Sequence, residues 1–278
     1  MKRVLQTTST ILAAIVCFCA VFALAEFLAP HVNTSGRKYM ETIKFNDKGN
    51  VKMIAHRGLS GLEMENTVPA FEAAGALSYY GIESDVHVTK DNKFVIVHDD
   101  DLNRVADVDK IVEESTFAEL RAVRLKNMDG EIDENLYLPS LTEYLEICKK
   151  HDKQAILELK NAMTAEQVWA IAEEVKTVGM IEKTTFISFA SENLLSLRER
   201  YQTAEAQYLT EECSEEEIEF MIKNNLDADL SWQCVTKEKV DKLHKAGLKV
   251  NTWTVNSVSV AALMKECGVD MITTNILE

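Results

Sequence analysis

Nothing narrows the fold of this chain more than the rhythm that begins at Val51. From there short β-rich apolar runs alternate with helical patterns almost to the last residue. The strand candidates are VKMIAHR (51–57), IESDVHV (82–88), FVIVH (94–98), QAILELK (154–160), TTFISFA (184–190), AEAQYLT (204–210), DADLSW (227–232), VNTWTV (250–255) and DMITTN (270–275). The segments between them carry apolar residues at helical spacing, as in TVPAFEAAGALSYY, AEQVWAIAEEVKTVG and SEEEIEFMIKNN. Ser214 followed by Glu217 has capping-box spacing, and Gly247 reads as a helix C-cap. Repeated β–α units imply a parallel sheet with helices outside it. Eight such units close a barrel, typically of ~250 residues, and residues 51–278 nearly fill that size. The fold class is therefore α/β, a (β/α)8 TIM barrel. Nine candidates exceed eight, so one is accessory, and DADLSW fits the pattern least well. No helix fits between residues 82 and 98, so the barrel is irregular around its second and third strands. Residues 100–139 form an insertion after the third, with one helix near TFAELRAVRL, expected to cap part of the active face.

The amino terminus is a separate object. Lys2 and Arg3 precede an uncharged run whose apolar heart is Ile11 to Ala25, and Ala23-Leu24-Ala25 offers a cleavage site. The run is short for a membrane span, which needs ~20 apolar residues. Residues 1–25 thus read as a signal peptide or an uncleaved membrane anchor, the latter involving residues 7–28. The protein is expected to be exported to an extracellular or cell-surface location, periplasmic where there are two membranes. It contacts a membrane through this segment if it is uncleaved. Residues 26–50 read as a tether, and Asn33-Thr34-Ser35 matches a glycosylation sequon. Cys148, Cys213, Cys234 and Cys267 lack metal-ligand spacing and read as buried thiols.

The formal net charge of −15 repels nucleic acid at long range, and no basic stripe offsets it. A nucleic-acid partner is therefore excluded. An anionic substrate must be met by local positive charge.

That local chemistry gathers at the carboxyl ends of the strands, where barrels of this type carry function. His56 and Arg57 end the first strand, and His98 ends the third. Glu83 and Asp85 lie two apart on the second, and Glu158 and Lys160 two apart on the fourth, so each pair shares a face. Three clustered carboxylates repel one another without a cation. Glu83, Asp85 and Glu158 are therefore assigned to one divalent cation, Mg²⁺ or Ca²⁺, which hard oxygen ligands suit. Glu65 either joins that metal or caps the helix that starts near Asn66. His56 and His98 are candidates for general acid and base, because imidazole titrates near neutral pH. His87 is a weaker candidate. Arg57 and Lys160 suit the oxygens of a phosphate. Trp253 reads as a pocket wall or as core, and Asn256 follows it towards the substrate pocket.

Taken together, HRG, ENT, ExD, HD, LELK and WTVN, in this order and spacing, resemble the glycerophosphodiester phosphodiesterase family from about Val51 onward. The resemblance implies a metal-dependent (β/α)8 barrel that cleaves small-molecule glycerophosphodiesters to an alcohol and sn-glycerol 3-phosphate. It implies His56 and His98 as the acid–base pair, Glu83, Asp85 and Glu158 as metal ligands, and Arg57 and Lys160 as phosphate contacts. One departure stands out: MITTNILE carries Thr274 where the family commonly has an acid. Two other readings share the pattern. One is a phospholipase D-like hydrolase acting on lysophospholipid or sphingolipid. The other is a non-catalytic membrane-associated ligand-binding barrel, which the intact histidines and acids disfavour. Oligomeric state and head-group preference are not encoded legibly.

Overall fold

A computed structural model describes residues 41–278. In chain order its strands are β1 (Lys52–Ala55), β2 (Gly81–Val88), β3 (Phe94–Ile96), β4 (Leu125–Lys126), β5 (Ile132–Asp133), β6 (Gln154–Leu159), β7 (Thr184–Ser188), β8 (Glu205–Thr210), β9 (Asp227–Ser231), β10 (Val250–Trp253) and β11 (Met271–Thr274). Parallel pairing runs β1–β2–β6–β7–β8–β9–β10–β11 and returns from β11 to β1, which closes an eight-stranded barrel. The short β3 pairs antiparallel with the far end of β2, Val86 opposite Ile96. The accessory strand is therefore β3. DADLS, the least strand-like candidate, is the full barrel strand β9. Its pattern misleads because Asp229 takes an interior position while Ala228 and Leu230 face the helices.

Side-chain alternation sorts the core into two parts. Met53, Ile82, Leu157, Phe186 and Leu230 point outward and pack beneath the helices. Ile54, Ile156, Ile187, Leu209 and Met271 point inward and fill the barrel, with Tyr80 and Trp253 packed against them. Burying each such side chain contributes roughly 1.5–3 kcal/mol.

The helices are α1 (Val68–Gly75), α2 (Asn103–Ala106), α3 (Phe117–Arg121), α4 (Leu141–Lys150), α5 (Ala165–Val178), α6 (Ser191–Arg200), α7 (Glu215–Asn224), α8 (Lys237–Lys245) and α9 (Val258–Cys267). Capping boxes start α4 at Ser140/Glu143, α5 at Thr164/Gln167 and α7 at Ser214/Glu217. Each cap stabilises its helix by about 1 kcal/mol. Thr67 caps α1, with Pro69 in its first turn. Gly247, just past the end of α8, takes φ +84, the left-handed conformation that stops a helix.

The insertion holds two short helices, α2 and α3, and the β4–β5 hairpin, rather than a single helix. It has its own apolar cluster, which includes Val95, Val97, Leu102, Val112, Leu120 and Leu138. At the other end, residues of the expected tether already pack against the barrel. Ile43 bridges to Leu277, and Phe45 is buried. The packed domain thus begins before Val51. Cys148 and Cys213 are buried, whereas Cys234 and Cys267 are half-buried, and all four thiols are free. Among the described residues no helix is long and apolar enough to cross a membrane. The expected leader or anchor and the sequon match lie outside the described residues.

Candidate active site

The HRG turn follows β1 and supplies two groups at once. Arg57 takes φ 53 and Gly58 φ +75, so the chain doubles back immediately after the strand. A Cβ on Gly58 would lie 2.7 Å from the Ala70 carbonyl carbon, so only glycine lets the turn sit against α1. The turn presents the backbone N–H of Arg57 to Glu83 Oε2 at 2.7 Å.

His56 is fixed by its neighbours on the closing strand. Its backbone N–H donates to the Thr274 carbonyl at 2.8 Å, and its Nδ1 lies 2.7 Å from Asn275 Oδ1. An amide oxygen there accepts from Nδ1–H, which leaves Nε2 bare, 3.9 Å from Glu83 Oε2. Burial, and then the Arg57 guanidinium, push the imidazole down to about 3, so in the free protein it is neutral at physiological pH.

Glu83, Asp85 and Glu158 offer oxygens that all lie within 4.8 Å of one another. All three are buried, on β2 and β6, which pair in register with Asp85 beside Glu158. Three carboxylates in so small a space repel one another. Burial and the Asp85 charge push Glu83 well up, and burial with Asp85 lifts Glu158 to about 7. Burial works to raise Asp85 too, but Arg57 and Lys160 overcome it and hold the carboxyl below its ordinary value. Asp85 Oδ1 is buried without a hydrogen-bond partner. An unpaired buried carboxylate oxygen inside an all-oxygen donor set fits a hard divalent cation.

The ENT segment serves this triad from behind. Asn66 donates through Nδ2 to Asp85 Oδ2 at 2.7 Å and accepts from Ser84 Oγ at 2.9 Å. Glu65 neither enters the carboxylate cluster nor caps α1. It accepts from Arg57 at 2.8 Å and is gripped by Arg104 at 2.7 and 2.9 Å. Lys160 lies 2.9 Å from Glu158 and 3.7 Å from Asp85, so its charge partly neutralises the triad. Arg57 does face the cleft, and its Nε makes no hydrogen bond.

His98 follows β3 on the cleft wall, with Nδ1 2.6 Å from Asp99 Oδ1. Asp99 is held well below the ordinary carboxylate range by that bond and by Arg104, which donates to its other oxygen at 2.7 Å. His87 lies wholly inside, its ring between Glu113 and the His98 carbonyl, and supports the loop rather than the chemistry. Trp253 lines the cleft and meets Phe189 edge-on, with ring centroids 5.6 Å apart. Asn256 does not line it. Its Oδ1 accepts from Thr274 Oγ1 and the Asn275 N–H at 3.2 and 2.8 Å, so it holds the segment that orients His56. Thr274 itself is fully buried and also accepts from the Ile276 and Leu277 N–H groups, so it closes the turn without an acid.

The cleft therefore gathers His56, Arg57, Glu83, His98, Glu158 and Trp253. Sequence reasoning did not pick out Asp99, Arg104, Asn275, Phe189 or Asp229. The HD dipeptide was a visible signal for Asp99, and TTN a faint one for Asn275. Asp229 lines the cleft from β9 and is 1% exposed. Burial pushes its carboxyl up to about 8, and the neighbouring Asn251 amide opposes that rise.

Comparison with known proteins finds similarity to one family. Residues 56–278 match the sequence model of the glycerophosphoryl diester phosphodiesterase family. A glycerophosphodiester phosphodiesterase of Bacillus altitudinis is 29% identical over 233 residues, covering 81% of this chain and 94% of its own. An Oleispira antarctica phosphodiesterase, solved in complex with the product sn-glycerol-3-phosphate, has 25% identity and a TM-score of 0.74, covering 81% of this chain and 92% of its own. A glycerophosphodiester phosphodiesterase structure from Parabacteroides distasonis has 29% identity and a TM-score of 0.68, covering 81% and 93%.

Proposed function

The chain belongs to the glycerophosphoryl diester phosphodiesterase family, and from that premise we propose that it hydrolyses glycerophosphodiesters to an alcohol and sn-glycerol 3-phosphate by metal-assisted acid–base catalysis. The observation that carries the reading is one cleft lined by two histidines, an arginine and two of three clustered buried carboxylates. Glu83, Asp85 and Glu158 would hold one divalent cation, Mg²⁺ or Ca²⁺. When bound, such an ion supplies Lewis-acid stabilisation of charge on the phosphoryl oxygens.

The remaining steps belong to side chains. Arg57 lines the cleft and offers its guanidinium charge to a non-bridging phosphate oxygen, while Glu65 and Asp85, 2.8 and 3.6 Å away, keep it in place. Lys160 stays on the triad and limits repulsion among its acids. His56, neutral and with Nε2 bare, takes a proton from the attacking water as its oxygen bonds to phosphorus and the bond to the leaving alcohol breaks. His98, held by Asp99 at 2.6 Å from its Nδ1, is placed on the cleft wall to deliver the proton to the leaving alcohol. The relative with bound sn-glycerol-3-phosphate supports this choice of product.

The test is turnover of glycerophosphocholine by the full chain with Mg²⁺ or Ca²⁺, beside His56→Ala and His98→Ala. Each variant is expected to lose about 10²–10⁴-fold in kcat. Wild-type kcat in either variant would remove that histidine from the mechanism.

A further inference from the structure

Asp229 is a buried acid that the chemistry above does not use. It is 1% exposed, yet it lines the catalytic cleft, and its Oδ1 has no hydrogen-bond partner. A carboxyl in that state is costly to bury, and an apolar side chain would pack with Ile187, Leu209 and Trp253 without the cost. The wall around it is built rather than loose. Trp253 Nε1 donates to the Asp229 main-chain oxygen at 3.2 Å, and Asn251 sits beside it in register on β10.

Its position says what it could meet. In the closed order of strands, β9 stands directly across the barrel from β2. Arg57 and the carboxylate triad, which would hold the phosphate directly and through a cation respectively, stand on the β1, β2 and β6 side. A ligand with its phosphate held there directs its organic part towards β9. We infer that Asp229 is the specificity residue for the hydroxyl groups of the glycerol moiety, binding them through the carboxyl group it presents at the cleft wall. The inference rests on the hydrolase reading, since it assumes a phosphate anchored opposite. Hydroxyls suit the site better than an ammonium group does. Burial favours the neutral acid, which can donate to and accept from a hydroxyl but is a poor counter-ion.

The experiment is calorimetric titration of the full chain, in Mg²⁺, with sn-glycerol 3-phosphate and with n-propyl phosphate, which keeps the phosphate and lacks the hydroxyls. The wild type should bind sn-glycerol 3-phosphate ~10–100-fold more tightly, the range expected of hydrogen bonds in a water-poor site. Asp229→Leu should erase that preference by weakening sn-glycerol 3-phosphate alone. Asp229→Asn, whose amide can also donate and accept, should keep part of it and guards against a folding defect in the leucine variant. An undiminished preference in both variants overturns the inference, as does equal weakening of both ligands, since that marks a structural role. Turnover of glycerophosphocholine by the wild type is measured beside them. Turnover with an unchanged preference sinks only the role of Asp229, whereas absence of turnover with any cation sinks the hydrolase reading and this inference with it.

Discussion

At the scale of single residues, the cleft keeps groups that folding alone would reject. Asp229 illustrates the cost. Its carboxyl is raised by burial from 3.8 to about 8, so across that window the folded state keeps a proton that the unfolded chain has released. Stability contributed at this position therefore falls as pH rises, and the penalty is complete above about 8. Asp229→Asn should be more stable than wild type above that pH by about 1–3 kcal/mol, with the gap closing as pH falls below ~4. Urea denaturation at several pH values measures it, and a gap independent of pH would contradict it. The candidate site residues that the structure brings together are legible because chemistry repeats at strand spacing: Glu83 and Asp85 two apart, His98 ending an apolar run. Asp229 was not, because a lone acid in a weak strand pattern carries no local signal. Nor does any local pattern tell His56 that its partner is Asn275, 219 positions away.

At the scale of elements, turns aim the chemistry. The HRG turn packs on α1 so closely that a methyl group has no room, and Gly58 also holds a positive φ. Gly58→Ala should destabilise the protein by about 1–3 kcal/mol, the usual range for overpacking and strained backbone. It should also lower kcat, because Arg57 and His56 precede it. Unchanged denaturation midpoint and kcat would show that the turn tolerates a side chain. The helices were readable from spacing and caps, as at Ser214/Glu217 and Gly247. The misread elements were those whose pairing is decided at a distance. β3 looks like a barrel strand but pairs antiparallel on β2, and β9 looks unlike one because its inward face serves the cleft.

At the scale of the whole molecule, the barrel is tied shut where its ends meet. Glu278 accepts from Thr42 Oγ1 at 2.8 Å, Lys44 Nζ at 2.6 Å and the Ser78 N–H at 3.2 Å, joining residues distant in sequence. Burial tends to raise its carboxyl, but the bonds from Lys44 and Thr42 prevail and bring it from 4.5 down to about 2. Its contribution is therefore present above 4.5 and lost as pH falls towards about 2. Glu278→Gln should lower stability at pH 7 by about 1 kcal/mol, allowing for solvent screening, and match wild type near pH ~2. Equal stability at pH 7 would mean the clamp does not hold the fold.

The proposed function rests on Glu83, Asp85 and Glu158 acting together on one cation. The decisive measurement is sn-glycerol 3-phosphate release from glycerophosphocholine by the full chain, first stripped with EDTA, then supplied with Mg²⁺ or Ca²⁺, in parallel with Asp85→Asn. Release should vanish on chelation, return with a divalent cation in the wild type, and fail to return in the variant. Release undiminished by chelation, or restored equally in Asp85→Asn, would contradict a metal site built from these carboxylates.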